Sequence, residues 1–226
     1  MLGVRNKMAK KTKKQDSRYS LKGSCLWGVL VFALLIFIDQ ITKFAADVYF
    51  NMEGVAPLVL IPNGVLSLCI SYNDGIAFGG FGESGAATKI AIVVGTGVLM
   101  LALAVMYFKV DKRRSFLRNS LVFVVAGGVG NLIDRLYYQI WIPSEFGVRD
   151  MVQIDFGGLF GFDNFLNFGI CNFADFFIVG GAIALLLAFI FFDRDAFLPL
   201  GKYKALAKEE EERQKLIAEK KQKKAE

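Results

Sequence analysis

Histidine is absent from all 226 residues of the chain. Ser-His-Asp and Cys-His catalysis and the His-Glu-x-x-His zinc site are excluded with it, so any acid–base chemistry near neutral pH falls to carboxylates. Cysteine is scarce as well. Cys25, Cys69 and Cys171 form no Cys-x-x-Cys pair, and an odd number gives no closed disulfide framework. Cys69 and Cys171 both fall in segments read below as outer and are candidates to pair, although lone buried thiols are the commoner case. Positive charge is missing from two long stretches: no Lys or Arg lies between Phe44 and Thr88, and only Arg149 lies between Leu136 and Cys171.

What is present is apolar and arranged in runs. The composition is 54% hydrophobic, and four stretches, at about 24–46, 87–108, 118–138 and 174–193, reach the roughly 20 residues needed to cross a bilayer. The expectation is an all-α membrane protein of four transmembrane helices, with a small outward-facing β-rich cradle and a second outer loop. The net charge of +6 marks sidedness and not a nucleic-acid surface, because its residues cluster at the ends and in one loop. Eight Lys and Arg lie in residues 1–22, five in 109–118 and ten from Arg194 onward. By the positive-inside rule both termini and the middle loop are cytoplasmic. The chain therefore divides into a basic arm (1–22), a membrane domain (23–193) and a charged tail (194–226), and the first apolar run is read as a retained helix.

The outer segment at about 48–86 combines Pro57, Pro62, Asn63-Gly64 and the apolar Val65–Tyr72, a strand-and-turn pattern resting on the membrane surface. The segment at about 139–172 carries Trp141 and a series of phenylalanines among glycines, which suits a loop dipping into the lipid boundary. Charged groups inside membrane helices are costly and usually functional. At 1.5 Å per residue, Asp39, Lys43, Asn131, Asp134 and Arg135 all reach the outer-leaflet level, where Asp155 and Asp175 also fall. A polar site just under the outer surface follows. Blander roles exist for each: Asp39–Lys43 as an ion pair, Asp175 as a helix N-cap, Gly127-Gly128 and Gly130 as a packing face.

The motifs Asp39-Gln40-Ile41-Thr42-Lys43, Asn73-Asp74-Gly75-Ile76-Ala77-Phe78, Gly127-Gly128-Val129-Gly130-Asn131-Leu132-Ile133-Asp134-Arg135, Val152-Gln153-Ile154-Asp155 and Asn172-Phe173-Ala174-Asp175 follow one another along the chain. In that order, the chain resembles lipoprotein signal peptidase, or signal peptidase II, a bacterial membrane aspartyl peptidase family. The resemblance implies cleavage of diacylglyceryl-modified prolipoproteins before the lipidated cysteine, in the bacterial inner membrane, on the outer side. It implies Asp155 and Asp175 as the catalytic pair, with Asp39, Lys43, Asn73, Gly75, Asn131, Arg135 and Asn172 around them. Lipidated prolipoproteins and membrane lipids are the implied partners, with no nucleic acid, no cofactor and no metal. Asp150 is a rival to Asp155, because the interval after Asp134 is long for the family. A proton- or cation-carrying transporter is the reading from another class; it predicts acidic residues spaced through the membrane depth, which the cytoplasmic halves of the helices lack.

Overall fold

The computed structural model describes residues 25–61, 65–73, 86–110, 114–141, 147–156, 167–192, 208–209 and 212. The chain divides into two compact units, Met1–Leu185 and Leu186–Glu226. In the second unit the described residues are helical.

The first unit's helices are α1 (Cys25–Phe50), α2 (Ala86–Lys109), α3 (Ser115–Arg135) and α4 (Phe173–Leu187), and among the described residues four helical spans, Cys25–Phe50, Ala87–Lys109, Ser115–Trp141 and Phe173–Phe191, are long and apolar enough to cross a membrane. α3 and α4 each run on into a π-helical turn, at Leu136–Trp141 and Ala188–Phe192. The helices expected from hydropathy thus exist, each shifted by a few residues at its ends. In α1 the exposed positions Leu26, Leu30, Leu34, Phe37, Ile41 and Phe44 form one apolar stripe, while Leu35, Asp39, Lys43 and Ala46 are buried. Apolar outside and polar inside is the pattern that lipid imposes, because hydrocarbon solvates the first and rejects the second.

α3 is the central helix: 67% of its most apolar window is buried, against 17% for each of the others. Glycine makes that possible. A Cβ on Gly127 would lie 2.3 Å from the Ala174 carbonyl oxygen of α4, one on Gly128 would lie 2.0 Å from the Met100 sulfur of α2, and one on Gly130 would lie 2.5 Å from Asp39 Oδ2 of α1. Three close approaches within four residues bring all three neighbours onto one helix, the small-residue mode of packing in membranes.

Among the described residues outside the helices lies a four-stranded antiparallel sheet in the order β1 (Leu58–Ile61), β2 (Leu66–Asn73), β3 (Val148–Asp155) and β4 (Asn167–Cys171). The strands expected after α1 are present. The second outer segment is not a plain loop: its two ends supply β3 and β4, pairing Ser71 with Asp150 and Val152 with Cys171. Hydropathy concealed β3 because Val148 to Val152 are all buried, charged Arg149 and Asp150 included, so polar and apolar residues do not alternate between a wet and a dry face. Ala46 of α1 packs with Met151 and Val152, joined by Phe50, Leu68 and Phe173, and seats the sheet on the C-terminal end of α1.

Candidate active site

A single residue, Asn172, separates β4 from α4, and that junction builds the centre of the site. Asn172 Oδ1 accepts the Asp175 backbone N–H, while Asp175 Oδ2 accepts the Asn172 backbone N–H, both at 3.0 Å. This reciprocal cap satisfies two of the donors that a helix start leaves open, and it fixes the Asp175 carboxylate. Its other oxygen, Oδ1, accepts Asn131 Nδ2 of α3 at 2.8 Å.

Asn172 Nδ2 points the other way. It donates to Asn131 Oδ1 at 3.0 Å and to Asp150 Oδ1 at 2.5 Å. Asp150 Oδ2 accepts Asn73 Nδ2 of β2 at 3.3 Å. Asp150 and Asp175 are therefore neighbours held by the same asparagine. Burial, and then the charge of Asp175, push the Asp150 carboxyl up to about 7, the behaviour of a carboxyl forced to share a small site with a second one. Burial, and then the nearby Asp175 and Asp150 carboxyls, raise the Cys171 thiol to about 11, so it stays a thiol at neutral pH.

Cations surround the pair. Lys43, fully buried, lies 3.0 Å from Asp39 Oδ2 and 3.6 Å from Asp134 Oδ2, and it donates to Asn131 Oδ1 at 2.9 Å. Asp39 Oδ1 accepts the Ala174 N–H at 2.9 Å, tying α1 to the first turn of α4. Arg135 is buried, with Asp175, Asp150 and Asp134 all bearing on its charge.

Asp39, Lys43, Asn73, Asn131, Arg135, Asn172 and Asp175 thus gather around one centre. Gly75 lies outside the described residues. Asp155 does not join them. It ends β3, paired with Asn167 at the start of β4, with its N–H on the Val65 carbonyl at 3.1 Å. Five residues of strand, about 17 Å at 3.4 Å per residue, separate it from Asp150. The strand register is the physical reason: Asp150 stands opposite Ser71, two positions from Asn73, and Asp155 stands at the far end of the sheet. Sequence reasoning also passed over Gln40, Asp47, Tyr72, Tyr138 and Arg149, which form a second polar cluster beside the first. One signal for it was available, since Arg149 is the lone cation of its segment.

Among known proteins, the sequence profile described as signal peptidase (SPase) II matches residues 31–191. The chain belongs to the signal peptidase II family. The lipoprotein signal peptidase of Fusobacterium nucleatum is 33% identical over 174 residues, covering 76% of this chain and 91% of that protein. That of Treponema denticola is 35% identical over 159 residues, covering 69% and 84%. Two solved chains described as a bacterial membrane enzyme share the fold, at 23% and 24% identity, each with a TM-score of 0.56, covering 74% and 73% of this chain and 88% and 93% of theirs. As a family member the chain is a multi-pass membrane peptidase of the aspartic type that removes signal peptides from prolipoproteins. Nothing favours a transporter.

Proposed function

We propose that Asp150 and Asp175 are the catalytic pair and that the enzyme cuts diacylglyceryl-modified prolipoproteins just before the lipidated cysteine. The observation that carries this reading is the shared asparagine: Asn172 holds the Asp150 carboxyl with its side chain and Asp175 with its backbone. Asp150, pushed up to about 7, is the member that keeps a proton, and Asp175 is its partner base. Asp175 takes a proton from a water as that water attacks the scissile carbonyl. Asp150 donates to the carbonyl oxygen; as the tetrahedral intermediate collapses, Asp175 passes the water's proton to the leaving amine and Asp150 takes its own proton back. No covalent intermediate is required. Asn73, Asn131 and Arg135 stand beside the carboxyls as groups to hold the substrate backbone, and Asp39 and Lys43 support them from α1.

The site lies at the outer ends of α1, α3 and α4, next to the sheet. In the orientation that the Lys and Arg distribution supports, with both termini cytoplasmic, this end faces the outer side of the bacterial inner membrane. A cleavage site tethered by a signal peptide on one side and a lipid on the other emerges at that depth.

The test is cleavage in nanodiscs of a prolipoprotein bearing the diacylglyceryl group, beside the same precursor without it. Cleavage of the lipidated form alone, leaving the modified cysteine at the new N-terminus, is the expected result. Equal cleavage of both, or a cut elsewhere, refutes the reading.

A further inference from the structure

One residue before Asp150 on β3 stands a charged side chain that the chemistry above does not use. The Arg149 backbone N–H and Nε–H both donate to Asp134 Oδ2, at 3.0 and 3.2 Å, and Nη2 donates to Asp134 Oδ1 at 2.9 Å. Nη2 also reaches Gln40 Oε1 at 3.4 Å. Nη1 lies 3.7 Å from Asp47 Oδ2, and the guanidinium carbon lies 5.4 Å from the centre of the Tyr138 ring. Asp47 in turn accepts the hydroxyls of Tyr72 and Tyr138 and the side-chain amide of Asn51.

Arg149 therefore meets α1 through Gln40 and Asp47 and α3 through Asp134, and Asp47 carries the connection on to Tyr72 of β2. These elements also supply Lys43, Asn131 and Asn73 to the site. Successive side chains of a strand point to opposite faces, so an Arg149 turned toward Asp134 turns Asp150 toward Asn73 and Asn172. We propose that Arg149 is a positioning residue for the reaction: by clipping the β3 backbone and its own fork to Asp134, it sets where the Asp150 carboxyl stands against Asp175.

This rests on reading Asp150 and Asp175 as the acting pair. A plain stabilising ion pair is the competing role, but burying two charges gives back most of their attraction in desolvation. A backbone N–H on the same carboxylate oxygen adds what stability alone does not call for, a fixed register for the next residue. The planar fork is also specific, since lysine presents a point charge and cannot make the paired bonds.

The experiment measures kcat, KM, the pH–rate profile and thermal stability in nanodiscs for Arg149→Gln and Arg149→Lys, with Asp150→Asn alongside. Displacement of a reacting group by about 1 Å can cost roughly 100-fold in rate. Arg149→Gln is therefore expected to lose about that factor in kcat, with KM within about twofold. Its alkaline limb should move to lower pH as Asp150 draws away from Asp175, and Arg149→Lys should recover part of the rate. Wild-type kcat in the folded Arg149→Gln protein, or a raised KM at unchanged kcat, overturns the proposal. Should Arg149→Gln fail to fold, Arg149→Lys decides alone: reduced kcat at constant KM supports positioning, and wild-type kcat overturns it. Asp150→Asn separates the two levels. If it remains active, the catalytic pair itself is misassigned; if it is inactive while both arginine variants turn over normally, only the positioning role falls.

Discussion

Asp150→Asn and Asp175→Asn are each expected to abolish cleavage while the protein stays folded, because an amide keeps the shape but cannot exchange the proton. Asp155→Asn should retain more than about a tenth of the activity, since the residue sits about 17 Å along the strand from Asp150. An inactive Asp155→Asn beside an active Asp150→Asn reverses the assignment. Acid–base linkage adds a stability test at the same residue. The Asp150 carboxyl titrates at about 7 in the fold against an ordinary 3.8, so the folded state binds the extra proton. Its stabilising contribution is complete below about pH 4 and is lost as pH rises through about 7. The cleavage rate should fall along an alkaline limb near that pH, whereas Asp150→Asn should be more heat-stable than the wild type at pH 8 and by less at pH 5. Thermal melts in detergent at pH 5 and pH 8 check the sign: a variant destabilised equally at both contradicts a buried, proton-holding Asp150. Most members of this polar cluster were legible in the sequence as candidates, because charge inside an apolar run stands out. The choice between Asp150 and Asp155 was not. Both are aspartates of one short segment, and only the pairing of Ser71 with Asp150 says which one meets Asn172.

Among the elements, α3 carries the tightest constraint. Gly127→Ala would drive a methyl group into the Ala174 carbonyl and Ile178 of α4, and helix separation is the cheaper response. Overpacking of this kind costs about 1–3 kcal/mol. Because Asp175 stands on the displaced helix and Asn131 on the other, a loss of roughly 100-fold in kcat is expected with it. Gly180→Ala on α4 is the control, since nothing lies within 4 Å of the added carbon. A Gly127→Ala protein with wild-type melting temperature and rate would mean that the α3–α4 contact is slack. The helices themselves were plain from hydropathy, whereas β3 and β4 were hidden. A strand with both faces buried and charges on each gives no period-2 signal, and β4 shows only as five residues, Asn167–Cys171, before a helix.

For the molecule as a whole, the asymmetry of Lys and Arg makes one prediction about sidedness. In a cysteine-free background, Val59→Cys on exposed β1 should react with an impermeant thiol reagent in intact cells, and Lys109→Cys at the end of α2 only after permeabilisation; both positions are exposed. Labelling in the opposite pattern inverts the topology. The native thiols serve poorly for this purpose, since Cys69 is buried and Cys171 is held at about 11. The order of helices and loops was readable at this scale because bilayer thickness and charge bias act on whole segments. The closure of both outer segments into one sheet was not, because it depends on contacts between residues some eighty positions apart.

The mutual cap at the start of α4 has a spectroscopic consequence. Kinetics on a coupled pair of carboxyls yields two constants that belong to the pair and to neither residue alone. Here the Asn172 main-chain amide hydrogen-bonds to Asp175, and the Asn73 side-chain amide hydrogen-bonds to Asp150. With nitrogen-15 placed in asparagine alone, the two resonances report on different members of the pair. The Asn73 signal should shift with a midpoint near 7, following Asp150, while the Asn172 signal follows its own carboxylate. The fold thus contains two site-resolved indicators of where the proton shared by Asp150 and Asp175 resides, readable without substrate and without altering either aspartate.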